Sequence, residues 1–238
     1  MCIRDSIGEE RFAAEGQALA ALAGELARRA VEASGKAVRV AGSLPPLFGS
    51  YRPDLFDAAR ATELLAPLVK GLAPHVDLWL AETQSSIVEA RAIHAGLPTD
   101  GKPFWLSFTL KDEDTDEVPR LRSGEPVAEA AAVAAELGVE TLLFNCSQPE
   151  VIGAAIDAAR ETFERLGVKI HIGAYANAFP PQPKEATAND GLDPLREDLD
   201  PPGYLQWAVD WKERGASHLG GCCGIGPEHI AVLAQKLA

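Results

Sequence analysis

Three cysteines stand where this chain could do chemistry. Cys222 and Cys223 are adjacent and set among glycines in GGCCGIG, residues 220–226. Cys146 closes the apolar run VETLLFNC, residues 139–146. Neighbouring cysteines rarely bridge to each other, because the eight-membered ring strains the disulfide. Cys146 is far too distant along the chain from the pair for a finger or ribbon, whose ligands pair locally. If two strand ends face each other across a common mouth, the three thiolates converge. Zinc suits such a set: it takes thiolates in tetrahedral geometry, and three protein ligands leave a fourth position open. A soft ligand is favoured there, and a substrate thiol is the obvious one. Zinc would hold that thiol as a thiolate at neutral pH. A sulfur nucleophile of this kind suits attack on an activated methyl group.

Other readings of the same residues stay open at this level. A thiol alone behaves as a small hydrophobe, which fits Cys2 and, taken singly, Cys146. A redox pair is a second reading, though no C-x-x-C occurs. The run Gly224–Pro227 opens a helix whose N-terminus could hold an anion, but it is neither GxGxxG nor followed by GK[ST]. His75, His94, His171, His218 and His229 have no partner at ligand spacing, and none is assigned to a metal.

The elements that must position these thiols alternate along the chain. Helices are expected over 8–34, with Leu19, Leu22 and Leu26 on one face, and over 53–73, 84–96, 125–138, 149–167, 201–215 and 227–237. Strands are expected over 38–43, 76–83, 103–110, 139–146, 168–175 and 216–221. The strands are short and apolar on both faces, as parallel strands covered by helices should be. Polar or special residues recur at each strand's C-terminal end: Gly42–Ser43, Glu82–Thr83, Ser107–Thr109, Asn145–Cys146, Tyr175–Asn177 and Gly221–Cys223. A closed barrel gathers all these ends on one rim, whereas an open doubly wound sheet spreads them along an edge. The expected fold is therefore α/β, a (β/α)8 TIM barrel, here incomplete with six βα units. MCIRDS reads as an unrelated leader (1–6) before a single domain over 7–238. The loop 111–123 is acidic then basic. The stretch 176–203 holds many prolines and reads as either a lid or a surface insertion.

The chain has 238 residues, a formal net charge of −13 and 47% hydrophobic residues. That acidity argues against nucleic acid or an anionic membrane as partner. No transmembrane run and no signal peptide are visible, so a cytoplasmic enzyme with small-molecule substrates is expected.

GGCCGIGPEHI, with NCSQPEVI and AGSLPPL upstream, resembles the zinc-dependent homocysteine S-methyltransferases. This family is related to betaine–homocysteine methyltransferase and the homocysteine domain of cobalamin-dependent methionine synthase. AETQSSIVEA and FWLSFTL support the resemblance, which covers nearly all of residues 8–238. It implies Cys146, Cys222 and Cys223 as zinc ligands. It implies Glu82 as the carboxylate that binds the substrate ammonium, a charge-assisted contact. It further implies Asn177 near the metal, and Gly42 and Ser43 near the substrate carboxylate. No catalytic group beyond the metal site is implied. The reaction implied moves a methyl group from S-methylmethionine or S-adenosylmethionine to homocysteine, giving methionine. Betaine-type or cobalamin-linked methyl transfer, or a non-catalytic zinc-binding fragment, are the alternatives. The family's first strand, with its Asp-Gly-Gly, and its second strand have no counterpart here, so the six strands correspond to its third through eighth.

Overall fold

The computed structural model describes residues 3–112, 118–181 and 194–237. The acidic part of the 111–123 loop and the middle of the 176–203 stretch lie outside the described residues. A short helix α1 (Ile3–Ile7) leads into α2 (Glu9–Ser34). Strands and helices then alternate: β1 (Ala41–Leu44), α3 (Ala58–Leu72), β2 (Leu78–Gln84), α4 (Ile87–Ala95), β3 (Phe104–Phe108), α5 (Val127–Glu136) and β4 (Thr141–Asn145). They continue as α6 (Pro149–Leu166), β5 (His171–Tyr175), α7 (Pro201–Glu213), β6 (His218–Leu219) and α8 (Pro227–Leu237). Among the described residues no helix is long and apolar enough to cross a membrane.

Each strand pairs in parallel with its sequence neighbour, in the order β1-β2-β3-β4-β5-β6. The order never reverses, so there is no switch point of the doubly wound kind. This is the winding of a (β/α) barrel carried through six units. Side chains alternate across each strand. Trp79, Leu106, Leu142, Phe144 and Ile172 join the main core under the helices. Leu78, Leu80 and Leu143, with Trp105 and Tyr175, form a separate cluster on the other face.

Several boundaries differ from the sequence expectation, each for a local reason. α3 begins at Ala58 and not at Pro53, because Asp57 caps it, accepting from the Ala59 N–H at 2.9 Å. Pro53–Leu55 forms a separate 3-10 turn. β1 begins three residues late: the Val40 N–H is taken by the Asp77 carboxylate at 2.7 Å. β6 shrinks to two residues where the glycine run turns away.

The expected apolar face of α2 is corrected outright. Leu22 and Leu26 are about half exposed, and the buried residues are Phe12, Gly16, Ala20 and Gly24. Close approach explains it. A Cβ at Gly71 of α3 would lie 2.5 Å from the Gln17 carbonyl, so small residues, not leucines, make this contact. Leucine size was a poor guide to which stripe faced inward.

Candidate metal centre

Cys146 is the first residue after β4, and its backbone is left-handed, φ +49°. A non-glycine residue there is strained, and such strain collects at functional sites. Its N–H donates to the Tyr175 carbonyl at 3.3 Å. Cys222 and Cys223 follow β6 in a turn that only glycines permit. A Cβ at Gly221 would overlap Ile225, 2.1 Å away, and Gly224 has φ +81°. The Cys222 N–H donates to the Ala176 carbonyl and the Ala178 N–H to the Cys223 carbonyl, both at 2.9 Å.

These local turns bring the three sulfurs together. All lie within 4.8 Å of one another, the one such cluster of metal-capable side chains among the described residues. Cys222 and Cys223 Sγ are 3.9 Å apart. Two sulfurs on one tetrahedral zinc, each bonded at about 2.3 Å, would stand roughly 3.8 Å apart. Cys146 and Cys222 are joined as a disulfide, which the sequence did not lead us to expect. Sulfurs this close can pair or share a metal; ligation by Cys146 and Cys222 requires their reduced, thiolate forms. Cys223 is free and exposed. The donor set therefore fits zinc once reduced.

Glu82 stands on the same rim. The β2–β3 register shifts between Ala81 and Gln84, and Thr83 adopts φ +60°. Such an irregularity re-aims side chains at a strand end. The half-buried Glu82 carboxylate accepts from Ser43 Oγ at 2.6 Å and from the Tyr175 hydroxyl at 3.2 Å. Burial first, then the Glu82 charge, hold the Tyr175 phenol well above its usual range, so it serves as a neutral donor. An apolar cleft of about 310 Å³ at the β1 edge, lined by Leu19, Ala23 and Leu72 among others, opens onto Ser43, Glu82 and Thr83.

A buried amide stands beside the sulfurs. Asn145 Nδ2 donates to Thr83 Oγ1 at 2.7 Å and lies 4.0 Å from Cys222 Sγ. Its Oδ1 accepts from Ser107 Oγ at 2.7 Å.

Of the remaining expected residues, Asn177 lies between Ala176 and Ala178, which bond Cys222 and Cys223, and its own N–H donates to the Ser147 carbonyl at 3.2 Å. Asn177 is buried, and its Oδ1 accepts from Gln148 Nε2 at 3.3 Å and the Phe179 N–H at 3.2 Å. These contacts organise the turn. Gly42 faces the helix layer, where a Cβ would press on Trp79 at 2.9 Å. Its absence of a side chain answers a packing need. His171 and His218 face each other across a shared Ser217 hydroxyl.

Sequence reasoning passed over Tyr175, Asn145 and Tyr51 as functional groups. Tyr51 has φ +67° and stacks on Arg122 at 5.1 Å. Burial and then the nearby Cys223 sulfur raise its phenol well above the ordinary value. Strand-end position was the one available signal for Tyr175 and Asn145; for Tyr51 there was none.

A sequentially wound β/α sheet with its polar groups and thiols on the C-terminal rim is built as barrel enzymes are. The family can be stated more narrowly. A family model described as homocysteine S-methyltransferase matches residues 3–237, and the chain belongs to that family. Homocysteine S-methyltransferase 3 of Arabidopsis thaliana is 30% identical over 140 residues, 57% of this chain and 35% of that protein. Selenocysteine Se-methyltransferase of Brassica oleracea is 29% identical over 166 residues, 68% of this chain and 43% of that protein. The matched stretch is thus less than half of either relative. The homocysteine methyltransferase MmuM of Escherichia coli, in its metallated form, superposes with a TM-score of 0.68 at 25% identity. That match covers 94% of this chain and 74% of MmuM.

Proposed function

We propose that the protein is a zinc-dependent thiol S-methyltransferase that converts homocysteine to methionine, with S-methylmethionine or S-adenosylmethionine as methyl donor. The convergence of three cysteine sulfurs within 4.8 Å on one rim carries this reading. Cys146, Cys222 and Cys223 would hold the metal. Bound there, zinc supplies Lewis acidity that keeps a substrate thiol deprotonated near neutral pH.

The chain's own groups do the rest. Glu82, braced by Ser43 and Tyr175, receives the substrate ammonium. Because both braces donate to the carboxylate, they fix its direction. Holding the ammonium there orients the homocysteine sulfur toward the three cysteines. The thiol proton leaves to solvent. The sulfur's lone pair then forms a bond to the methyl carbon. The donor's carbon–sulfur bond breaks, its electron pair staying on the donor sulfur, which becomes a neutral thioether. A cytosolic setting, where thiols stay reduced, suits the site.

The test is the zinc content of the reduced chain, wild type beside Cys222→Ser, followed by methyl transfer with each sulfonium donor. About one zinc per chain, lost in the variant, is the expected result. A reduced wild type that binds no zinc overturns the reading.

A further inference from the structure

The turn that carries two of the three thiols has little of its own to hold it still. Gly220 and Gly221 lack side chains, and glycine gives the backbone its widest freedom. Beyond one bond of its own, from the Ile225 N–H to the Cys222 carbonyl at 3.1 Å, its shape comes from stitches to the end of β5 and the residues just after it. The Gly220 N–H donates to the Ala174 carbonyl at 3.0 Å, and the Cys222 N–H to the Ala176 carbonyl at 2.9 Å. Cys146 is referenced to the same segment through the Tyr175 carbonyl. The tail of β5 is therefore the common frame for all three sulfurs.

One side chain from outside spans that frame. Tyr204, on α7, is fully buried. Its hydroxyl donates to the Gly220 carbonyl at 2.8 Å and lies 3.3 Å from the Ala176 carbonyl. A single phenol hydrogen thus serves one carbonyl on each side of the stitch, one in the turn and one in its frame. The ring is fixed edge-on by Trp211 and His229, with centroids 5.7 Å and 5.9 Å away. Burial raises the phenol far above neutral pH, so it stays a donor.

We infer that Tyr204 is a positioning residue for the metal centre: its hydroxyl locks the glycine–cysteine turn onto the β5 tail and so sets where Cys222 and Cys223 stand relative to Cys146. The inference rests on the zinc reading above. Groups that orient metal ligands from behind typically change affinity by about 10- to 100-fold when lost.

Tyr204→Phe removes the hydroxyl and keeps the ring. In the reduced full-length chain its zinc dissociation constant, measured against a chromophoric chelator, is expected to rise about tenfold. The visible spectrum of the cobalt-loaded chain should change in parallel, reporting a distorted sulfur set. Ile93→Val, a truncation in the remote core of α4, serves as control: it lowers melting temperature and leaves zinc affinity unchanged. Zinc affinity within twofold of wild type in Tyr204→Phe, with an unaltered cobalt spectrum, overturns the inference and leaves the zinc reading intact. A wild type without zinc affinity overturns both. Should Tyr204→Phe not fold, the wild type still decides. Zinc must then slow hydrogen exchange at the Cys222 amide, which shares the Ala176 carbonyl with Tyr204; exchange indifferent to zinc refutes the lock.

Discussion

At the scale of single residues, Glu82 has the sharpest consequence. Glu82→Gln keeps size and removes the charge that an ammonium would pair with. A charged hydrogen bond contributes about 1.5–3 kcal/mol, so KM for homocysteine should rise roughly tenfold or more while zinc content holds. A variant with unchanged KM would remove Glu82 from the substrate site. The cysteines were legible because adjacent thiols among glycines have few other uses, and Glu82 through the family resemblance, with its place at the end of an apolar strand in support. Its braces were not legible. Ser43 and Tyr175 come from different strands, 39 and 93 residues away, and only the folded sheet shows them meeting one carboxylate. The disulfide was equally hidden, since it depends on how near the turn brings Cys222 to Cys146.

At the scale of elements, alternation showed which segments are helix and which strand, but not where each stops. Capping decided that, as at Asp57, and α2 packed through its glycines because backbone proximity outweighed leucine size. The start of α4 yields a prediction of its own. Glu89 reaches back to cap it, accepting from the Ser85 and Ser86 N–H groups at 2.7 and 2.8 Å. Burial nevertheless pushes its carboxyl from 4.5 up to about 7. A carboxyl raised in the folded state binds its proton more tightly there than in the unfolded chain. Its stabilising contribution is complete below pH 4.5 and is lost as pH rises through about 7. Glu89→Gln can cap without titrating. Urea midpoints between pH 5 and pH 8, on the order of that window, should therefore fall in the wild type relative to the variant. Parallel curves would show that Glu89 does not titrate there.

At the scale of the whole molecule, parallel strands followed from segments apolar on both faces, and the barrel winding from polar residues at every C-terminal end, which make sense on one rim. What the sequence left out is how firmly distant parts are tied. The Arg196 N–H donates to the Ala178 carbonyl at 2.8 Å, and its guanidinium holds Gln148 and Glu150, each at 2.7 Å. Residues on both sides of the 182–193 stretch are thus fastened to the loop after β4 and to the cysteine turn. Cys146 lies before that stretch, Cys222 and Cys223 after it. A gene split between Lys184 and Glu185 would therefore distribute one metal site over two polypeptides, making ligation an act of assembly. The halves, co-expressed under reducing conditions with a tag on one, should elute together and dissociate more readily under a chelator. Separate elution with zinc present would mean the covalent link, not this fastening, holds the rim in register.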